Sequence, residues 1–211
     1  LTPIAEAGKL VTHEFLSGPD VQKVDRKEIT EWNFWGVERV KRFTIQPQWL
    51  FTSFKEYSTY TSMRDDFLTL ANASLGQLNI KHIGRLGLRY INEIRVDAKH
   101  VSDPLNWDGL INEELLNSIR FRVPDANPIR LFNNLEYSFG GFQVRFRFGL
   151  YNPDYPAQIK QRVFVLDYDA FYRGLLDIND IESSLDQYHS AIEALFERSI
   201  EEGLRRILND D

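Results

Sequence analysis

The chain has 211 residues, with 25 Lys and Arg against 31 Asp and Glu, 43% hydrophobic residues and no cysteine. A formal charge of −6 argues against an indiscriminate polyanion binder, and the lack of thiols excludes disulfides, zinc fingers and a cysteine nucleophile. No apolar run approaches the roughly 20 residues of a membrane helix and no secretory leader opens the sequence, so a soluble cytoplasmic protein of one domain, residues 1–211, is expected.

In chain order, a first strand is expected over Lys9–Leu16, with Gly18–Lys27 as the remnant of a helical link. Trp32–Tyr60 then carries nine aromatics, and its breaks at Gly36 and Gln46-Pro47-Gln48 predict three antiparallel strands, Glu31–Gly36, Arg39–Gln46 and Trp49–Tyr57. Ser62-Met63-Arg64-Asp65 opens a helix that continues through Phe67, Leu70, Ala71, Ser74, Leu75 and Leu78. Ile83–Val96 reads as a long strand with Leu86, Leu88, Tyr90 and Asn92 on one face. A short helix over Trp107–Ile119, capped near Asn106, follows. Ile129–Phe139 and Phe142–Leu150 flank a Gly140-Gly141 hairpin turn, Gln161–Asp169 forms a further strand, and a last helix runs from Asn179 to Leu208.

This order predicts an α+β fold: one curved antiparallel sheet with two long helices packed on one face. The pattern reads as a pseudo-duplicated βαβββα unit with a shortened first helix and halves of about 1–80 and 81–211. A single α+β sandwich with similar halves is the alternative.

The stretch Arg85-Leu86-Gly87-Leu88-Arg89-Tyr90-Ile91-Asn92-Glu93-Ile94 resembles a sporadically distributed prokaryotic family to which no activity is assigned. Pro3-Ile4-x-Glu6-Ala7 is similar to that family's opening strand. Trp32-x-Phe34 through Leu50, with Tyr60-Thr61-Ser62 and Phe67, is similar to its strands and first helix. Val165-Leu166-Asp167-Tyr168-Asp169-x-Phe171 resembles its late strand, and His189-x-x-Ile192-x-x-x-Phe196-Glu197-x-x-Ile200 its final helix. The resemblance implies an accessory gene product of a mobile or defence-related module. It brings no mechanism, and Gly8–Lys27 departs from the substantial first helix of the family.

Three constellations bear on chemistry. His189 falls within the apolar arc Leu185, Ile192, Phe196, Ile200 and Ile207 of the last helix, so it points toward the sheet, as a general base would. A histidine so placed is more often a core residue bonded to one acceptor. Glu193 lies four residues on, but no second histidine is near, so no metal site is expected. Asp167 and Asp169 share one strand face, as an acid and a base of a metal-independent hydrolase would. The competing reading pairs Asp167 with Arg89 across strands and leaves Arg89 and Asn92, on opposite faces, as structural polar residues. In Phe142–Phe148, Phe142, Val144, Phe146 and Phe148 face the core while Gln143, Arg145 and Arg147 face away. With Arg162 on the next strand, these arginines offer a basic sheet face for an anionic ligand or protein partner. The aromatic block suits core packing better than base stacking.

Charge is also unevenly placed: from Asp177 to Asp211 ten acids meet three arginines, whereas Arg120–Arg173 carries eight bases and five acids. The expected role is therefore a non-catalytic binding or interaction protein without cofactor. Its expected partner is another protein or a second copy in a homodimer. Nucleic acid is unsupported by the net charge, and no membrane is involved. A hydrolase with Asp167, Asp169 and His189 between sheet and last helix is the alternative.

Overall fold

The computed structural model describes residues 2–18, 21–56, 58–96, 103–121 and 123–210, without the side chains of 12–27 and 210. It divides into two compact units, Leu1–Lys81 and His82–Asp211. Among the described residues no helix is long and apolar enough to cross a membrane.

The first unit is a meander of four antiparallel strands, β1 (Ile4–Gly18), β2 (Val21–Trp35), β3 (Lys41–Ile45) and β4 (Leu50–Phe54), followed by helix α1 (Tyr60–Gln77). Val21–Lys27, expected within a helical remnant, is strand: β1 and β2 pair in register from Ile4–Trp35 to Gly18–Val21, while Pro19 and Asp20 of that expected remnant lie outside the described residues. Thr59 caps α1 by accepting from the Ser62 amide. Tyr57, the expected end of the third strand, lies outside the described residues. Phe43 of β3 and Ala71 and Leu75 of α1 are buried. On the other face of the sheet Thr44, fully buried, donates to Asn33 Oδ1 at 2.7 Å, and the side-chain amides of Asn33 and Gln46 each donate to Glu31 at 2.9 Å. Those two hydrogen bonds hold the Glu31 carboxyl below its ordinary pKa.

The second unit has its own sheet, in the order β5-β8-β7-β6, from β5 (His82–Arg95), β6 (Leu131–Ser138), β7 (Gln143–Leu150) and β8 (Val163–Asp177). Helix α3 (Ile181–Ser199) packs on β8 and β5. The inner face is apolar: Leu86 and Ile94 of β5, Val144, Phe146 and Phe148 of β7, and Phe164, Leu166, Tyr168 and Ala170 of β8 are buried. Burying side chains of this size contributes about 1.5–3 kcal/mol each, which fixes the faces of all three strands. Tyr168 stacks on Phe146 with centroids 4.5 Å apart and donates to Ser199 Oγ of α3 at 2.8 Å.

These topologies overturn the single curved sheet with two long helices on one face. Among the described residues there are two separate antiparallel sheets and four helices, and no βαβββα unit is duplicated. The first sheet follows chain order, whereas in the second the opening strand pairs with the last. Two local expectations also change. Trp107–Ile119 is not a helix but a run of turns, a bridge at Ile111, a 3₁₀ turn over Glu113–Leu116 and helix α2 (Asn117–Arg120). Its residues Trp107, Ile111, Leu116 and Ile119 are nevertheless buried, and Trp107 packs on Phe164 at 5.2 Å. The last helix is broken into α3 and α4 (Glu202–Asp210) because Ile200 leaves the helix to bridge Ile111. The Glu201 amide then donates to the Leu110 carbonyl at 2.8 Å.

Candidate functional site on the second sheet

Residues directly opposite each other in an antiparallel pair share a face, so the register assembles the outward surface row by row. One row runs Arg89, Asp169, Arg145 and Glu136; the next runs Ile91, Asp167, Arg147 and Asn134. Cations and carboxylates thus alternate across all four strands in the first row and across the two central strands in the second. Arg145 Nε donates to Glu136 at 2.7 Å.

Asp167 is the most enclosed of these groups, with 7% of its surface exposed. Arg89 grips it with two hydrogen bonds of 2.8 Å, from Nε and from one terminal nitrogen, and Arg147 of β7 approaches from the other side at 2.7 Å. A carboxylate on a central strand, held by guanidiniums from both neighbouring strands, ties β5, β8 and β7 together. The Asp167 contact pushes the Arg89 guanidinium pKa further up. Asn92, on the inner face, donates to the Leu166 carbonyl at 3.4 Å.

His189 lies on the other side of the sheet. Its Nδ1 is 3.3 Å from the Tyr90 hydroxyl, and Tyr90 pairs with Tyr168 on the inner face. Asp167 and Asp169 face outward, so the sheet itself separates them from His189, and the structure does not bring the three together. Two clefts, of about 410 and 300 Å³, are lined by residues of 103–120 with Glu201 and by none of these three side chains. Among the described residues no group of three His, Asp or Glu side chains converges as a bound metal requires.

Arg162 does not join Arg145 and Arg147. It precedes Val163 on the inner side, is buried, and lies 4.9 Å from the Trp107 ring, where desolvation lowers its pKa. Its Nε has no hydrogen-bond partner among the described residues. The aromatic block of the first unit is divided: Phe43 is buried, whereas Trp32, Trp49 and Phe51 are exposed.

One cluster escaped the sequence reading. Phe171, on the outward face of β8, is only 4% exposed because guanidiniums cover it. The guanidinium carbons of Arg85, Arg173 and Arg145 lie 5.2, 5.3 and 5.7 Å from its ring centroid. Arg85 also contacts Asp169 at 3.6 Å and lies over Gly87, where a Cβ would meet its guanidinium at 3.0 Å. Arg173 has no carboxylate within ion-pair distance among the described residues. The sequence signal was the odd-numbered pattern Asp167, Asp169, Phe171, Arg173, which continues the outward face beyond the expected strand end.

No family model, no curated protein and no solved structure matches the chain.

Proposed function

We propose that this chain is a non-catalytic binding protein, and that the outward face of its second sheet receives an anionic group presented by a partner protein. The observation that supports this reading is the arginine cluster on Phe171: three guanidiniums share one ring, while Asp169 and Glu136 are the carboxylates that reach them. One positive charge is left over at Arg173. A carboxylate or phosphate monoanion supplies the missing counter-charge and takes paired N–H donors from a planar guanidinium. The ring beneath keeps the guanidiniums in place by cation–π attraction, so little side-chain freedom is lost on binding. Arg89 and Arg147 are already engaged by Asp167, which makes the face a mosaic suited to a complementary protein surface and ill suited to a continuous polyanion. The accessory role implied by the family resemblance rests on that resemblance alone.

The test follows arginine Nε–Hε resonances by NMR during titration with a glutamate-rich peptide. Saturable shifts at Arg85, Arg145 and Arg173 are expected, together with their loss in Arg173→Ala at an unchanged melting temperature. Absence of shifts, equal shifts in Arg173→Ala, or tighter retention of a single-stranded oligonucleotide would overturn the proposal.

A further inference from the structure

Among the described residues the second sheet ends in two unpaired edge strands, β5 and β6, and they differ in kind. At β5 the register is irregular between Ile83 and Arg85, and Arg85, Arg89, Glu93 and Arg95 place charges along the strand. Bulges and charges are the devices by which sheet edges refuse a further strand. β6 has no bulge and carries a single charge. Its pairing with β7 is regular over all eight residues, it contains no proline or lysine, and Glu136 is its one ionised side chain. Phe132, Leu135 and Tyr137 are exposed on it. About 26 Å of regular strand therefore presents backbone groups with no strand partner among the described residues on one side, with apolar side chains beside them.

We infer that β6 pairs with β6 of a second copy, antiparallel about a two-fold axis at Leu135 and normal to the sheet, giving one continuous eight-stranded sheet. The strand's own pattern selects this register. It sets Leu135 against its symmetry mate, Asn133 against Tyr137 on the inner face, and Asn134 against Glu136 on the outer face. The carboxylate of each copy thus meets an amide donor. A shift of one residue in the axis either sets Glu136 against its own mate, or sets Glu136 against Phe132. The outer rows also continue across the seam without like charges meeting, because Arg145 and Glu136 of one copy are followed by Asn134 and Arg147 of the other. This pairing is independent of the Phe171 cluster, which lies toward β5.

The test is sedimentation velocity across a concentration series that reaches a Kd of about 1 mM. The wild-type chain is expected to dimerise. Asn134→Glu, which sets four carboxylates along the seam, is expected to weaken the dimer at least tenfold at an unchanged melting temperature. Adding Glu136→Lys to that variant restores opposite charges across the axis and is expected to recover dimerisation. A wild-type chain that stays monomeric overturns the inference, and so does a dimer unaffected by Asn134→Glu. Failure of the double variant to recover, while folded, overturns the register and the two-fold pairing with it.

Discussion

Asp167 and its two arginines give a prediction in which the order of effects matters more than any single value. The carboxylate side chain is 9% exposed, whereas those of Arg89 and Arg147 are 46% and 38% exposed. Removing the carboxylate leaves two guanidiniums that water can reach, and half-exposed ion pairs are worth at most about 1 kcal/mol each. Asp167→Ala is therefore expected to cost about 1–2 kcal/mol. Removing one arginine leaves the other in place, so Arg89→Ala and Arg147→Ala are each expected to cost about 1 kcal/mol. Removing both strands a buried carboxylate, for which the cost rises to roughly 3–5 kcal/mol. The double variant thus exceeds the sum of the singles by about 1 kcal/mol or more. Hydrogen exchange of the β8 amides from Leu166 to Asp169 under increasing urea reports this for the second unit by itself. A cost for Asp167→Ala as large as that of the double arginine variant, or arginine effects that simply add, would refute a stranded buried carboxylate as the source of the excess.

Two further predictions concern the same sheet. Burial raises the Tyr168 hydroxyl above its ordinary pKa of 10.0, against the opposing hydrogen bond to Ser199. The protonated form is therefore favoured by folding: its stabilisation is complete below the unfolded pKa and is lost as pH climbs from there toward the folded value. Tyr168→Phe is expected to lose about 1 kcal/mol near neutral pH and to show a shallower fall in urea midpoint from about pH 9 to about pH 11; an identical fall would place the alkaline sensitivity elsewhere. Gly149 has φ +153°, and a Cβ there would come within 2.0 Å of the Leu131 carbonyl oxygen of β6. Gly149→Ala is expected to cost about 3 kcal/mol or more, read as a lowered urea midpoint, and a near-neutral effect would contradict so close an approach.

What the sequence made legible was what local periodicity controls. Val144, Phe146 and Phe148 alternate with Arg145 and Arg147, and the sheet buries the first set and turns the second outward. The α+β class and antiparallel strands followed from such runs. The rest depends on partners distant in sequence. Asp167 and Asp169 look like the polar end of a strand, yet β8 continues to Asp177 because arginines on both neighbouring strands pair with those carboxylates. The apolar spacing of Trp107, Ile111, Leu116 and Ile119 mimics a helix, but burial through turns produces the same spacing. Nothing local marks Ile200 as a break, since Ile111 takes it out of the helix from 89 residues upstream. The division into two sheets, and the separation of His189 from Asp167 by one of them, likewise follow from strand order rather than from any segment.

The order β5-β8-β7-β6 also bears on the chain while it is being made. β6, β7 and β8 follow one another closely, but β5 finds its neighbour only when β8 has emerged; Arg89 and Asp167 are 78 positions apart. At synthesis rates of about 5–20 residues per second, β5 waits on the order of 4–16 s, with Leu86, Leu88 and Ile94 on one side uncovered. During that interval Arg85, Arg89, Glu93 and Arg95, on or beside its other face, are what keeps the strand in water and out of wrong pairings. Residues that later clasp Asp167 and cover Phe171 thus have an earlier task as gatekeepers, so replacing them with apolar groups would harm yield before it harmed the finished fold.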